Sequence, residues 1–71
     1  MDSKKIGQRL RELRGERSIQ KVALENGISP SAISMYESGL RIPKDDTKVK
    51  LAQYYGVPVE SIFFFTNMVH L

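Results

Sequence analysis

The chain contains no cysteine and a single histidine, His70, which excludes disulfides, thiolate metal sites and an imidazole cluster able to hold a metal on its own. No segment approaches the roughly 18 apolar residues of a membrane span, and the opening Met1-Asp2-Ser3-Lys4-Lys5 is not followed by the apolar stretch of a secretory signal. A cytoplasmic protein is expected, with no membrane partner. Paired carboxylates, a nucleophile beside a base and a glycine-rich phosphate loop are all missing as well. An enzyme is therefore the least expected class, and neither cofactor, metal nor small-molecule substrate is expected. Stability has to come from packing alone, in a chain whose size lets it bury only about 60% of the surface its unfolded form exposes.

What is present fits a folded domain. Hydrophobic residues make up 41% of the chain and charged residues 27%, a globular balance rather than that of a disordered segment. The formal net charge is +3, and the excess is gathered early: Lys4, Lys5, Arg9, Arg11, Arg14, Arg17 and Lys21 stand against Asp2, Glu12 and Glu16. Such a balance permits a polyanionic partner, although a modest basic excess is also ordinary on a solvated surface.

Apolar spacing and cap residues divide the chain into five helices and no strand. Ile6, Leu10 and Leu13 form one stripe on a helix over 4–14, capped by Asp2 or Ser3 and stopped by Gly15. Ser18 is placed to N-cap a second helix with Ile19, Val22 and Ala23 inward, and Gly27 ends it. Ser29 followed by Pro30 reads as an N-cap plus first-turn proline, opening a third helix that turns Ile33 and Tyr36 or Glu37 inward and ends at Gly39. Helices two and three, joined by so short a turn, must cross sharply. Pro43 closes the next loop. Asp45-Asp46-Thr47 supplies capping oxygens and negative charge for a fourth helix reaching Tyr55, with Val49, Ala52 and Tyr55 as its buried face. After Gly56, Pro58-Val59-Glu60-Ser61 opens a short fifth helix with Val59, Ile62 and Phe63 available to the core. The whole of 1–71 reads as one all-α domain with an apolar tail over 64–71.

Taken together, Val22-Ala23, Gly27-Ile28-Ser29, Ile33, Tyr36-Glu37-Ser38-Gly39 and Pro43 resemble the Cro and Xre-type helix-turn-helix regulators, which have the lambda-repressor-like five-helix fold. Lys50-Leu51-Ala52, Tyr55-Gly56-Val57 and Ile62-Phe63 extend the resemblance over about residues 4 to 64. It implies a transcriptional regulator that occupies a palindromic double-stranded DNA operator as a homodimer, with the third helix in the major groove. It also implies a buried ion pair between Arg14 and Glu37 that orients that helix. Base contacts fall to Pro30, Ser31, Ser34 and Met35, none of which can make a bidentate guanine contact. Because no lysine or arginine lies between Ser29 and Ser38, phosphate contacts are expected from Ser18, Gln20 and Lys21, from the backbone at Ser29, and from Ser38, Arg41 and Lys44.

Three positions depart from the family pattern. Ile19 stands where a glutamine usually braces a phosphate, and Gln20, one residue on, is turned by about 100 degrees around the helix. Lys48 replaces an apolar residue, and Pro58 a serine or aspartate cap. The tail is too apolar to lie bare on a small domain. Phe64, Phe65, Met68, Val69 and Leu71, with Tyr54, are candidates for an isologous dimer contact, the alternative being that the tail packs over the first and fifth helices of its own chain. A competing function is a protein-binding module on the same fold, antirepressor or antitoxin-like, in which the weakly charged third helix or the tail holds a regulatory protein partner.

Overall fold

Five helices are laid down by local chemistry at their ends. In the computed structural model, which describes residues 2–64, they are α1 (Ser3–Arg14), α2 (Ile19–Asn26), α3 (Pro30–Ser38), α4 (Asp45–Tyr55) and α5 (Val59–Phe63), with no strand among the described residues. Asp2 caps α1 through Oδ1, which accepts from the amides of Lys4 and Lys5 at 3.1 Å each. The hydroxyl of Ser18 accepts from the Lys21 amide, and that of Ser29 from the Ala32 amide, at 3.0 and 3.1 Å. Each bond satisfies a first-turn donor that has no partner within the helix.

The turn between α2 and α3 is built at Gly27, whose φ of 64° is left-handed territory that a side chain disfavours. From there the Gly27 amide reaches the Leu24 carbonyl and the Ile28 amide the Ala23 carbonyl, a Schellman arrangement that directs Ile28 against the core. Only Gly27, Ile28 and the cap Ser29 separate the two helices.

Ile6, Leu10, Val22, Ala23, Ala32, Ile33, Tyr36, Leu51, Ala52, Ile62 and Phe63 make one buried cluster drawn from all five helices. The backbones of α1 and α3 approach closely. Gly7 lies so near the end of α3 that a Cβ there would stand 2.7 Å from the Tyr36 carbonyl oxygen and closer still to that of Glu37. A second tie runs from α4 to α2: the Lys50 ammonium donates to the Asn26 carbonyl at 3.2 Å, satisfying the last acceptor of α2, while the buried Asn26 amide donates to the Val22 carbonyl at 2.8 Å.

Two expectations need correcting. The inward face of α4 is Lys48, Leu51 and Ala52 with Tyr55 half-buried beside them, whereas Val49 is 48% exposed. A lysine takes the packed face in place of a valine because its ammonium finds aromatic faces and a carboxylate there. The Lys48 ammonium stands 5.7 Å from the Phe63 ring centre, 5.2 Å from that of Phe64 and 3.4 Å from the Asp45 carboxylate. The start of α4 also differs. Lys44 occupies its N-cap without a side-chain bond; Asp45 and Asp46 lie inside the first turn, where Asp46 accepts from the Thr47 amide at 2.8 Å and both charges face the positive helix end. Pro58 likewise precedes α5 without capping it.

Candidate nucleic-acid interface

The third helix separates its residues cleanly by face. Ala32, Ile33, Tyr36 and Glu37 are buried, while Pro30, Ser31, Ser34 and Ser38 are exposed and Met35 is half-buried. The outward positions 31, 34, 35 and 38 follow helical spacing and give a continuous stripe of small hydroxylic side chains bordered by a thioether and a proline ring. No cation interrupts it. Ser38 is partly engaged, its hydroxyl donating to the Met35 carbonyl at 3.2 Å. The stripe is chemically suited to base edges and thymine methyl groups and unsuited to supplying charge.

Orientation of that stripe is fixed by Glu37. Its side chain is 3% exposed, and Arg14 grips it in a fork, Nε to Oε2 at 2.7 Å and Nη2 to Oε1 at 2.9 Å. The Arg14 Nη1 donates to the Arg17 carbonyl at 2.8 Å, so the guanidinium joins the end of α1, the loop after it and the end of α3. The Glu37 hydrogen bonds hold the Arg14 pKa above its ordinary value. Arg11 approaches the same carboxylate at 3.9 Å from a largely exposed position.

The residues expected on the flanks, Ser18, Gln20, Lys21, Ser29, Arg41 and Lys44, are all exposed. They differ in how free they are. Ser18 and Ser29 spend an acceptor lone pair as helix caps, and Lys21 is held 3.0 Å from Glu25, one turn on. Glu25 in turn accepts from the Tyr54 hydroxyl at 2.5 Å, and these two partners keep its carboxyl below the usual range while Tyr54 is raised. Arg17 lies over the Tyr54 and Tyr55 rings at 5.4 and 5.5 Å from their centres. Burial first, then the charge of Glu37, pushes Tyr55 up to about 12. Tyr54, a candidate dimer residue, is therefore already employed in joining α4 to α2.

Ile19 is half-buried against the core, which explains how an apolar residue is accommodated where the family carries glutamine; it has no donor to offer a phosphate. Gln20 is exposed beside Leu24 and Pro30. Phe64 is partly exposed; Phe65, Met68, Val69 and Leu71 lie outside the described residues. Gly7, Asn26 and Lys50 were not legible as functional or structural positions. A lone glycine between Ile6 and Leu10 is a faint signal of close helix approach, and Lys50 offers none.

A model of the helix-turn-helix domain family matches residues 7–64, a span holding α2, the Gly27 turn and α3. The chain belongs to that family. Among similar proteins, the cryptic phage CTXphi transcriptional repressor RstR of Vibrio cholerae is 38% identical over 56 residues, covering 76% of this chain and 50% of the relative. The uncharacterized HTH-type transcriptional regulator RghRB of Bacillus subtilis (strain 168) is 44% identical over 60 residues, covering 80% of this chain and 43% of the relative. The chain thus spans about half the length of the curated relatives it matches. No solved structure matches it significantly. Within this helix-turn-helix frame α3 is the second helix of the motif, the one whose outer stripe carries the uncharged residues. Among the described residues no group of three or more His, Cys, Asp or Glu is placed to hold a metal ion, and no helix is long and apolar enough to cross a membrane.

Proposed function

We propose that this chain is a cytoplasmic DNA-binding transcriptional repressor that occupies a palindromic operator as a dimer, with α3 in the major groove. The observation that carries this reading is the uncharged stripe of α3, Ser31, Ser34, Met35 and Pro30, held outward by the Arg14–Glu37 fork. Ser31 and Ser34 exchange hydrogen bonds with base edges, and Met35 and Pro30 pack on thymine methyl groups. Since none of these supplies charge, Arg41 and Lys44 after the helix, the start of α2 at Ser18, Gln20 and Lys21, the Ser29 amide and Ser38 provide phosphate contacts. Lys21 exchanges Glu25 for phosphate on binding. Phe64, Tyr54 and the tail residues Phe65, Met68, Val69 and Leu71 form the two-fold contact that sets the half-sites about one DNA turn apart. A titration of labelled duplex from the protein's own promoter and of unrelated duplex, at two salt concentrations, tests this. Selective binding by two protomers supports it; equal, weak binding to both duplexes counts against it.

One observation favours a second reading, in which the fold holds a regulatory protein. Leu24 is 83% exposed and borders a groove with Gln20, Ala23, Gly27, Ile28 and Pro30, an apolar surface of a kind that protein partners cover.

A further inference from the structure

The stripe on α3 does not end at the helix terminus. Ser38 also lines a cleft of about 470 Å³ whose other walls are Lys4, Gln8 and Arg11 of α1 and the edge of Glu37. Residues 4, 8 and 11 lie at helical spacing on one face of α1, turned away from the buried Ile6 and Leu10. Lys4 is seated by its stem, which runs against Gly39: a Cβ on that glycine would stand 3.2 Å from both Cα and Cγ of Lys4. Among the described residues no carboxylate lies within ion-pair distance of the Lys4 ammonium, and Arg11, 66% exposed, has only the long 3.9 Å approach to Glu37. Glu37 is already held by the Arg14 fork, and the two cations Lys4 and Arg11 line the cleft against that one paired carboxylate, so the lining carries an excess of positive charge.

We infer that this cleft seats a phosphodiester of the DNA backbone, held by the Lys4 ammonium, the Gln8 amide and the Arg11 guanidinium. The inference rests on the DNA-binding reading above and adds α1 to the interface. The chemistry of the donors selects the ligand. Lys4, Arg11 and the Gln8 amide line the cleft from one face of α1 with N–H donors, which suits an oxyanion with acceptors only. Continuity selects its source, since Ser38 belongs both to the outward stripe of α3 and to the cleft. A duplex lying on the stripe brings a backbone phosphate to the cleft mouth. The cations of α1 then supply part of the charge that α3 lacks.

The test compares salt dependence of binding for the full chain and for Lys4→Gln, Arg11→Gln, the double variant and Lys5→Gln, on own-promoter and unrelated duplexes. Lys5 is an exposed cation of the same helix outside the cleft, so its replacement controls for net charge. Removing one cation from a phosphate lowers the slope of log affinity against log salt by about 0.9. Lys4→Gln and Arg11→Gln are each expected to lower it by about that amount on both duplexes, the double variant by about twice as much, and Lys5→Gln not at all. Circular dichroism verifies folding; should Arg11→Gln not fold, Lys4→Gln carries the test alone. Slopes for the two cleft variants equal to those of wild type and Lys5→Gln overturn the inference while leaving DNA binding standing. Wild type without affinity for either duplex at low salt overturns the DNA-binding reading and the inference together. Stabilisation of wild type but not the double variant by inorganic phosphate, with unchanged DNA slopes, assigns the cleft to a free anion and overturns the phosphodiester.

Discussion

Replacing Arg14 with methionine removes both bonds of the fork on Glu37 and leaves a carboxylate that is 3% exposed without its main partner. Stranding one member of a buried pair costs about 3 to 5 kcal/mol. At roughly 0.05 to 0.15 kcal/mol per residue, a chain of 71 residues has a total stability of about 4 to 11 kcal/mol, so the loss consumes at least a quarter of it and can consume all. In a domain of this size each kcal/mol moves the melting temperature by about 4 to 8 °C, which puts the expected fall at about 12 °C or more. Arg11→Gln touches the same carboxylate from an exposed position at 3.9 Å and should cost under about 1 kcal/mol. The double variant Arg14→Met/Glu37→Leu should recover most of the stability lost by Arg14→Met, because replacing a whole buried pair by apolar groups is often neutral. Urea and thermal unfolding followed by circular dichroism near neutral pH measure all three. A cost for Arg14→Met no larger than that of Arg11→Gln would refute the claim that this pair fixes α3 against α1.

Gly7→Ala forces a methyl group into the Tyr36 and Glu37 carbonyls and should cost about 1 to 3 kcal/mol, despite alanine's better helix propensity; unfolding midpoints check it. Leu51→Ala, at a fully buried position, should cost about 2 to 5 kcal/mol, whereas Val49→Thr on the same helix should change stability by less than about 0.5 kcal/mol. Tyr55 gives an alkaline signature. Its folded pKa is pushed up to about 12 from an ordinary 10.0, so the folded state holds the proton more tightly. The resulting stability is fully present below pH 10.0 and is lost as pH rises through about 12. Tyr55→Phe should flatten that limb of the stability profile and remove a late-ionising component from the tyrosinate absorbance titration.

Much of this was legible in the sequence because it depends on local chemistry. Ser18 and Ser29 announce their helices through hydroxyls that have no other first-turn role, and Gly27 marks a backbone conformation other residues resist. Leu10, Ala23 and Ile33 fall on helical stripes that leave them one way to face. The reading failed at Val49 because hydropathy ranks valine above lysine, while on the packed face of α4 the Lys48 ammonium meets the Phe63 and Phe64 rings. Those rings are some fifteen residues downstream, beyond any local pattern. Gly7, the Lys50 bond to the end of α2, and the cleft of Lys4, Gln8 and Arg11 depend equally on which helices meet. The outward face of α3 follows from the inward one, but its partner does not, since serines at 31 and 34 suit any polar contact.

The most direct test of the central claim is an amide-resolved NMR titration of the protein with its own promoter duplex. The account predicts that the largest shifts map to Ser31, Ser34 and Met35, with smaller ones at the capped starts of α2 and α3 and at Arg41 and Lys44. Shifts confined to the groove around Leu24, or absent with a duplex that is demonstrably present in excess, would contradict it.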